Sequence, residues 1–131
     1  MSTPAPGLAN EQALREQMLA AALQLDAVGL NRGSTGNLSV RVGDQWLVTP
    51  SGIAAQDLGP QSMVQMDFNG EPSGPGKPSS EWRFHRDILA SRTDVGAIVH
   101  THSRFATAFA CLHREIPAFH YMIAIAGGDS I

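Results

Sequence analysis

Residues 37–52 read NLSVRVGDQWLVTPSG, and this is the plainest β-structure in the chain. Successive side chains of a strand point to opposite faces, so Leu38, Val40 and Val42 share one face and Ser39 and Arg41 the other. Gly43-Asp44 is a two-residue hairpin signal, after which QWLVT returns beside the first strand. Strands joined by so short a turn are antiparallel, which excludes an all-parallel sheet.

Upstream, NEQALREQMLAAALQLDAVG runs from Asn10, a candidate N-cap. It places Leu14, Met18, Leu19, Ala22, Leu23 and Val28 at helical spacing, and Gly29 is the natural stop. Residues 1–9 (MSTPAPGLA) are expected to be a disordered lead-in to one domain over 10–131. Downstream, SMVQMDFNGEP reads as a strand entering an Asn69-Gly70 turn, and EPSGPGKP (71–78) as a loop. SSEWRFHRDILASR is a helix with Ser79 or Ser80 as N-cap and Glu81 in its first turn. VGAIVHTH is a strand, RFATAFACLH a helix capped by Ser103, and AFHYMIAIA a final strand. Helix, hairpin, strand, then strands alternating with helices is the pattern of an α/β sandwich.

The chain has 131 residues, 43% apolar and 16% charged, the profile of one globular domain. A net charge of −3 without basic blocks gives extended nucleic-acid binding no electrostatic support. No apolar run reaches membrane-spanning length, and no secretory signal opens the chain. The single cysteine, Cys111, lies in an apolar stretch that reads as core, and its solitude suits a reducing cytoplasm.

Four short stretches are candidates for chemistry. In GSTGNLS (33–39), Gly33 and Gly36 free the backbone to turn N–H groups toward an anion, beside Ser34 and Asn37, although a plain turn has the same composition. In TPSG (49–52) the Ser51 hydroxyl and Gly52 N–H are available, and a simple β-turn accounts for them equally. In KPSSEWRFH (77–85) two serines precede a helix N-terminus, where a phosphate is favoured; capping explains one serine but not both. Glu81 follows, either as a carboxylate placed there by the helix dipole or as a functional group beside a metal. In AIVHTH (97–102), His100 and His102 share one strand face about 7 Å apart, so they serve either as metal ligands or as surface histidines.

Taken in order, GNLS, TPSG, KPSSEWRFH and HTH resemble the class II aldolase/adducin family, especially its branch acting on L-fuculose 1-phosphate. The resemblance extends through LGP, FNGE and IPAFHYMIAIAGGDSI. It implies an α/β/α sandwich around a mixed or antiparallel central sheet, assembled as a homotetramer with sites at subunit interfaces. It implies one Zn2+ per site on His100, His102 and a third histidine, with Glu81 as acid/base and as a metal ligand when substrate is absent. It implies a phosphate pocket of Gly36, Asn37, Ser51, Gly52, Ser79 and Ser80. Tyr121 would protonate the aldehyde oxygen in a neighbouring subunit. The implied reaction cleaves a ketose 1-phosphate, L-fuculose 1-phosphate first, to dihydroxyacetone phosphate and L-lactaldehyde. No nucleic acid or membrane partner is implied. A sugar-phosphate epimerase, a thiosugar-phosphate dehydratase and a non-catalytic adducin-like module are the alternatives within the family.

Physical chemistry accounts for such a set. Breaking a C–C bond beside a carbonyl leaves negative charge that a Lewis acid stabilises, and a carboxylate must return a proton to carbon. Remote phosphate binding fixes the reacting end. The family's third histidine lies far beyond the second, whereas 29 residues follow His102, so the expectation is a C-terminally incomplete domain, about the N-terminal two-thirds.

Overall fold

The computed structural model describes residues 6–131. After Thr101 the chain divides into two compact units, the second being His102–Ile131. The first contains α1 (Pro6–Ala27), β1 (Asn37–Val42), β2 (Gln45–Val48), β3 (Val64–Met66), α2 (Trp82–Ser91) and β4 (Ala97–His100). The strands form one sheet in the order β3-β2-β1-β4, and every neighbouring pair is antiparallel.

The hairpin lies where the sequence puts it, with Val42 paired to Gln45 and Gly43 at φ 60°. A two-residue connection whose hand matches the strand twist needs that positive φ, and glycine adopts it without strain. The Asn69-Gly70 turn also forms, held by the Asp67 carboxylate, which accepts the N–H groups of Asn69 and Glu71 at 2.9 Å each. Helix α1 ends as read: Leu30 N–H donates to the Leu25 carbonyl and Gly29 N–H to that of Asp26, a Schellman closure with Gly29 at φ 77°. Its start differs from the Asn10 expected. The helix begins at Pro6, whose fixed φ suits a first helical position. The disorder expected over 1–9 falls, for residues 1–5, outside the described residues.

Both faces of the sheet are covered. Residues paired directly across antiparallel strands share a face, so Leu38, Val40 and Leu47 lie together, packed with Met18, Ala22 and Met63 under α1. The opposite face carries Trp46, Val48, Val64 and Met66, which bury Leu89 of α2. Trp46, Leu47, Val48, Met66 and Leu89 are inaccessible to solvent. Helix on sheet on helix is the expected sandwich, with an antiparallel centre.

Three local expectations are corrected. Helix α2 starts at Trp82, not at the serines: Glu81 occupies the N-cap position, and its N–H is held by the Ser79 hydroxyl at 3.3 Å. In the second unit, α3 spans Arg104–Cys111 behind Ser103, which holds the N-cap position without a side-chain hydrogen bond. Cys111 is exposed, because α3 buries none of its residues. The apolar run read as a last strand is a 3-10 helix, Tyr121–Ala126. Short apolar runs do not distinguish strand from helix by period, and here the ends decide. His120 Nδ1 accepts from Met122 N–H at 3.2 Å, and Gly127 closes the other end at φ 95°.

Candidate metal centre

The side chains of β1 that point toward α2 are Asn37, Ser39 and Arg41, the polar half of the alternation. Each meets α2 or its cap at a four-residue interval. Asn37 Nδ2 donates to Glu81 Oε2 at 2.7 Å. Ser39 Oγ lies 2.7 Å from His85 Nδ1. The Arg41 guanidinium donates to the backbone carbonyls of Leu89 in the last turn of α2, of Arg92 at its C-cap and of Val95 in the loop beyond. A cation there complements the negative end of the helix and satisfies carbonyls that lack an intrahelical partner. Arg41 also packs over the Phe68 ring. Ser39 and Arg41, polar by pattern, therefore form the seam between sheet and helix.

Glu81 stands above that seam. Its Oε2 lies 3.4 Å from Nε2 of His100, at the end of β4, and the two side chains are 40% and 32% exposed, so solvent reaches both. His100 pairs with Asn37 in the β1–β4 register, which brings both partners of Glu81 to the same rung of the sheet. The Phe84 ring lies edge-on to His100 at 5.2 Å and stacks on His85 at 4.3 Å. His85 is fully buried, and burial first, then the neighbouring His100, pushes its imidazole down to about 4; Glu81 opposes the shift. A carboxylate and an imidazole converging at an open edge are donors suited to a divalent metal ion.

The loops read as anion binders also converge. Ser79 N–H donates to the Thr49 carbonyl and Ser51 N–H to that of Lys77, both at 3.0 Å, so TPSG and KPSS lie antiparallel around a Pro50–Pro78 bridge. Thr49 Oγ1 in turn accepts Leu38 N–H at 3.2 Å, joining them to the loop that carries Gly36 and Asn37. Ser79 is buried and Ser80 exposed. Gly36, Asn37, Ser51, Gly52, Ser79 and Ser80 all lie in the first unit, while His102 and Tyr121 belong to the second, where Tyr121 is 78% exposed.

His85 and Ser39 were not among the expected site residues. The available signal was spacing: His85 lies four residues after Glu81, on the same helical face.

Residues 16–131 match the family described as Class II Aldolase and Adducin N-terminal domain. The chain belongs to this family. A 5-methylthioribulose-1-phosphate/5-deoxyribulose-1-phosphate aldolase of Rhodospirillum rubrum is 61% identical over 119 residues, covering 91% of this chain and 54% of that protein. The L-fuculose phosphate aldolase of Escherichia coli K12 is 47% identical over 118 residues, covering 90% and 55%. A solved L-fuculose 1-phosphate aldolase superposes with a TM-score of 0.78 at 38% identity, covering 89% of this chain and 56% of that one. This class II aldolase-family chain thus spans about half the length of the curated relatives it matches. Among its described residues no helix is long and apolar enough to cross a membrane.

Proposed function

We propose that this chain carries the metal-binding and phosphate-binding part of a divalent-cation-dependent aldolase. It would cleave a ketose 1-phosphate to dihydroxyacetone phosphate and a short aldehyde. The observation that carries this reading is the open Glu81–His100 pair, 3.4 Å apart, at the sheet edge of a class II aldolase-family fold. We assign Glu81, His100 and His102 to one metal ion, the first two on their geometry and His102 on the His-x-His sequence pattern. We assign them one Zn2+, since neutral imidazole and carboxylate both suit that ion. When bound, the cation supplies Lewis-acid stabilisation of the charge left on the ketone half of the substrate.

The chain's own residues do the remainder. Glu81 is placed by the Asn37 amide and is solvent-accessible, so it can return a proton to the substrate carbon once the C–C bond has broken. Gly36, Asn37, Ser51, Gly52, Ser79 and Ser80 are assigned to the substrate phosphate, whose binding anchors the reacting end. Asn37 links that loop to Glu81. Tyr121, exposed and hydroxyl-bearing, is assigned the proton for the aldehyde oxygen in a neighbouring subunit of a cytoplasmic tetramer.

The relative at 61% identity is named for 5-methylthioribulose and 5-deoxyribulose 1-phosphates, and the one at 47% for L-fuculose phosphate. These sugars share a 1-phosphate, a ketone at the second carbon and a far end without a terminal hydroxyl. We assign that class, with 5-deoxyribulose 1-phosphate ahead of L-fuculose 1-phosphate on the higher identity. The test incubates the purified protein and Zn2+ with each sugar and measures dihydroxyacetone phosphate, beside Glu81→Gln and His100→Ala. Release that both substitutions abolish supports the reading. Zinc binding with no dihydroxyacetone phosphate from any of the three sugars overturns it in favour of an epimerase, a dehydratase or a non-catalytic module.

A further inference from the structure

His85 is inaccessible to solvent, yet both ring nitrogens meet polar partners: Nδ1 faces Ser39 Oγ at 2.7 Å, and Nε2 faces Asn37 Oδ1. The direction of every hydrogen bond in this chain of groups is fixed from its outer end. The Asn37 amide nitrogen donates to Glu81 Oε2 at 2.7 Å. The Asn37 carbonyl oxygen is then left facing His85, and it only accepts. His85 must therefore carry its proton on Nε2. Kept neutral by burial, it presents a bare Nδ1, to which the Ser39 hydroxyl donates.

We propose that His85 is a positioning residue, set in the Nε2–H tautomer by the Asn37 carbonyl oxygen with Ser39 donating to Nδ1, that fixes the Asn37 amide and through it aims the Glu81 carboxylate at the metal site beside His100. The inference rests on the reading of Glu81 as a metal ligand. Its structural content is the polarity of the relay: Ser39 to His85, His85 to Asn37, Asn37 to Glu81. Reversing any one bond sets two acceptors or two donors against each other in a buried site, where unmatched polar groups cost about 1–3 kcal/mol each. Phe84, stacked on the imidazole, limits its rotation. Ser39 and His85 lie outside the residues assigned to substrate, so their effect on chemistry passes through Asn37 and the orientation of one carboxylate.

The tautomer is measurable without metal. A long-range 1H–15N correlation on the labelled full chain at pH 7 is expected to show His85 neutral, protonated at Nε2 and bare at Nδ1. An Nδ1–H tautomer or an imidazolium overturns the proposal. In Asn37→Leu the acceptor facing Nε2 is lost while Ser39, which can donate or accept, remains, and a mixture of tautomers is expected; an unchanged single tautomer overturns the role given to Asn37. The link to Glu81 is read by titrating Zn2+ and Co2+ calorimetrically, with the Co2+ visible absorption recording ligand geometry. His85→Leu keeps the volume and removes both nitrogens, and is expected to weaken binding tenfold or more with an altered Co2+ spectrum. His85→Gln restores an N–H donor and is expected to remain within about threefold of the parent. A folded His85→Leu that binds Co2+ with parental affinity and spectrum overturns the link. If His85→Leu fails to fold, loss of affinity in His85→Gln as severe as in Asn37→Ala overturns it instead. Should the parent chain bind neither ion, the metal assignment fails by itself, and the tautomer measurement decides the relay.

Discussion

Gly36 and Asn31 exclude a side chain between them. Gly36 sits at φ +71°, and a Cβ built on it would lie 2.2 Å from the Asn31 carboxamide. Asn31 is buried and donates to the His100 carbonyl at 3.4 Å, so it cannot move away without disturbing the end of β4. Gly36→Ala therefore combines left-handed strain with a steric conflict. The expected loss is about 2–4 kcal/mol in urea unfolding, and metal affinity should fall in the protein that remains folded. An alanine variant as stable as the parent would show that the Asn31 packing is not as described.

Metal binding should be visible in stability as well as in affinity. An ion that binds only the folded protein raises its melting temperature, so saturating Zn2+ is expected to shift the parent upward. His100→Ala and Glu81→Gln are expected to abolish most of that shift while leaving the metal-free melting temperature within a few degrees. The His100 and Glu81 side chains are 32% and 40% exposed, so neither belongs to the apolar core. Scanning calorimetry with and without Zn2+ checks both statements.

The buried His85 gives stability a definite pH dependence. Its folded value is depressed to about 4 by burial, with His100 adding to the shift and Glu81 opposing it. The unfolded chain therefore takes up the proton first as pH falls through about 6.5, and the folded chain only near 4. Stability from this group is complete above about pH 6.5, declines between 6.5 and 4, and is level below. The full loss is at most about 3 kcal/mol. Urea midpoints at half-unit pH intervals should show that slope in the parent and a shallower one in His85→Gln.

Arg41→Met keeps the aliphatic stem over Phe68 and removes the donors to the carbonyls at the end of α2. The expected cost is about 1–3 kcal/mol, with faster hydrogen exchange at the C-terminal end of α2 than in β1. Arg41→Lys should recover only part, since an ammonium cannot span three carbonyls as a planar fork does.

His113 is the one described non-glycine residue with positive φ, at 52°, where it closes α3: its N–H donates to Ala110 and that of Arg114 to Phe109. Glycine is the usual residue at this position of a helix end. His113→Gly should raise stability by roughly 0.5–1 kcal/mol, read as a higher urea midpoint.

Much of this architecture is legible in the sequence because it rests on local rules. The Gly43-Asp44 hairpin, the Gly29 stop and the Asn69-Gly70 turn each follow from what one or two residues do to the backbone. Glu81 and His100 are singled out in the sequence for a different reason: their residue types at those spacings suit metal chemistry. The seam residues are not. Alternation separates Ser39 and Arg41 from Leu38 and Val40, but it does not say that a helix covers the polar side as well. Only the fold brings His85 to Ser39, 46 positions earlier. The last apolar run reads as a strand because so short a run looks alike at either period, and its ends, His120 and Gly127, decide for helix.

The contacts of Asn37, Ser39 and Arg41 with Glu81, His85 and the end of α2 behave as a vernier. Two residues of strand advance about 6.6 Å and four residues of helix about 6.0 Å, so the two scales drift by only about 0.6 Å per step. Over the three marks available, that drift stays within what side chains absorb. A slip of α2 by one residue, about 1.5 Å along its axis, would put all three marks out of step together. Asn37 is the zero of both scales, bonded to Glu81 and paired in register with His100. The spacing of carboxylate and imidazole is thereby gauged from one residue, and the whole length of α2 guards the reading.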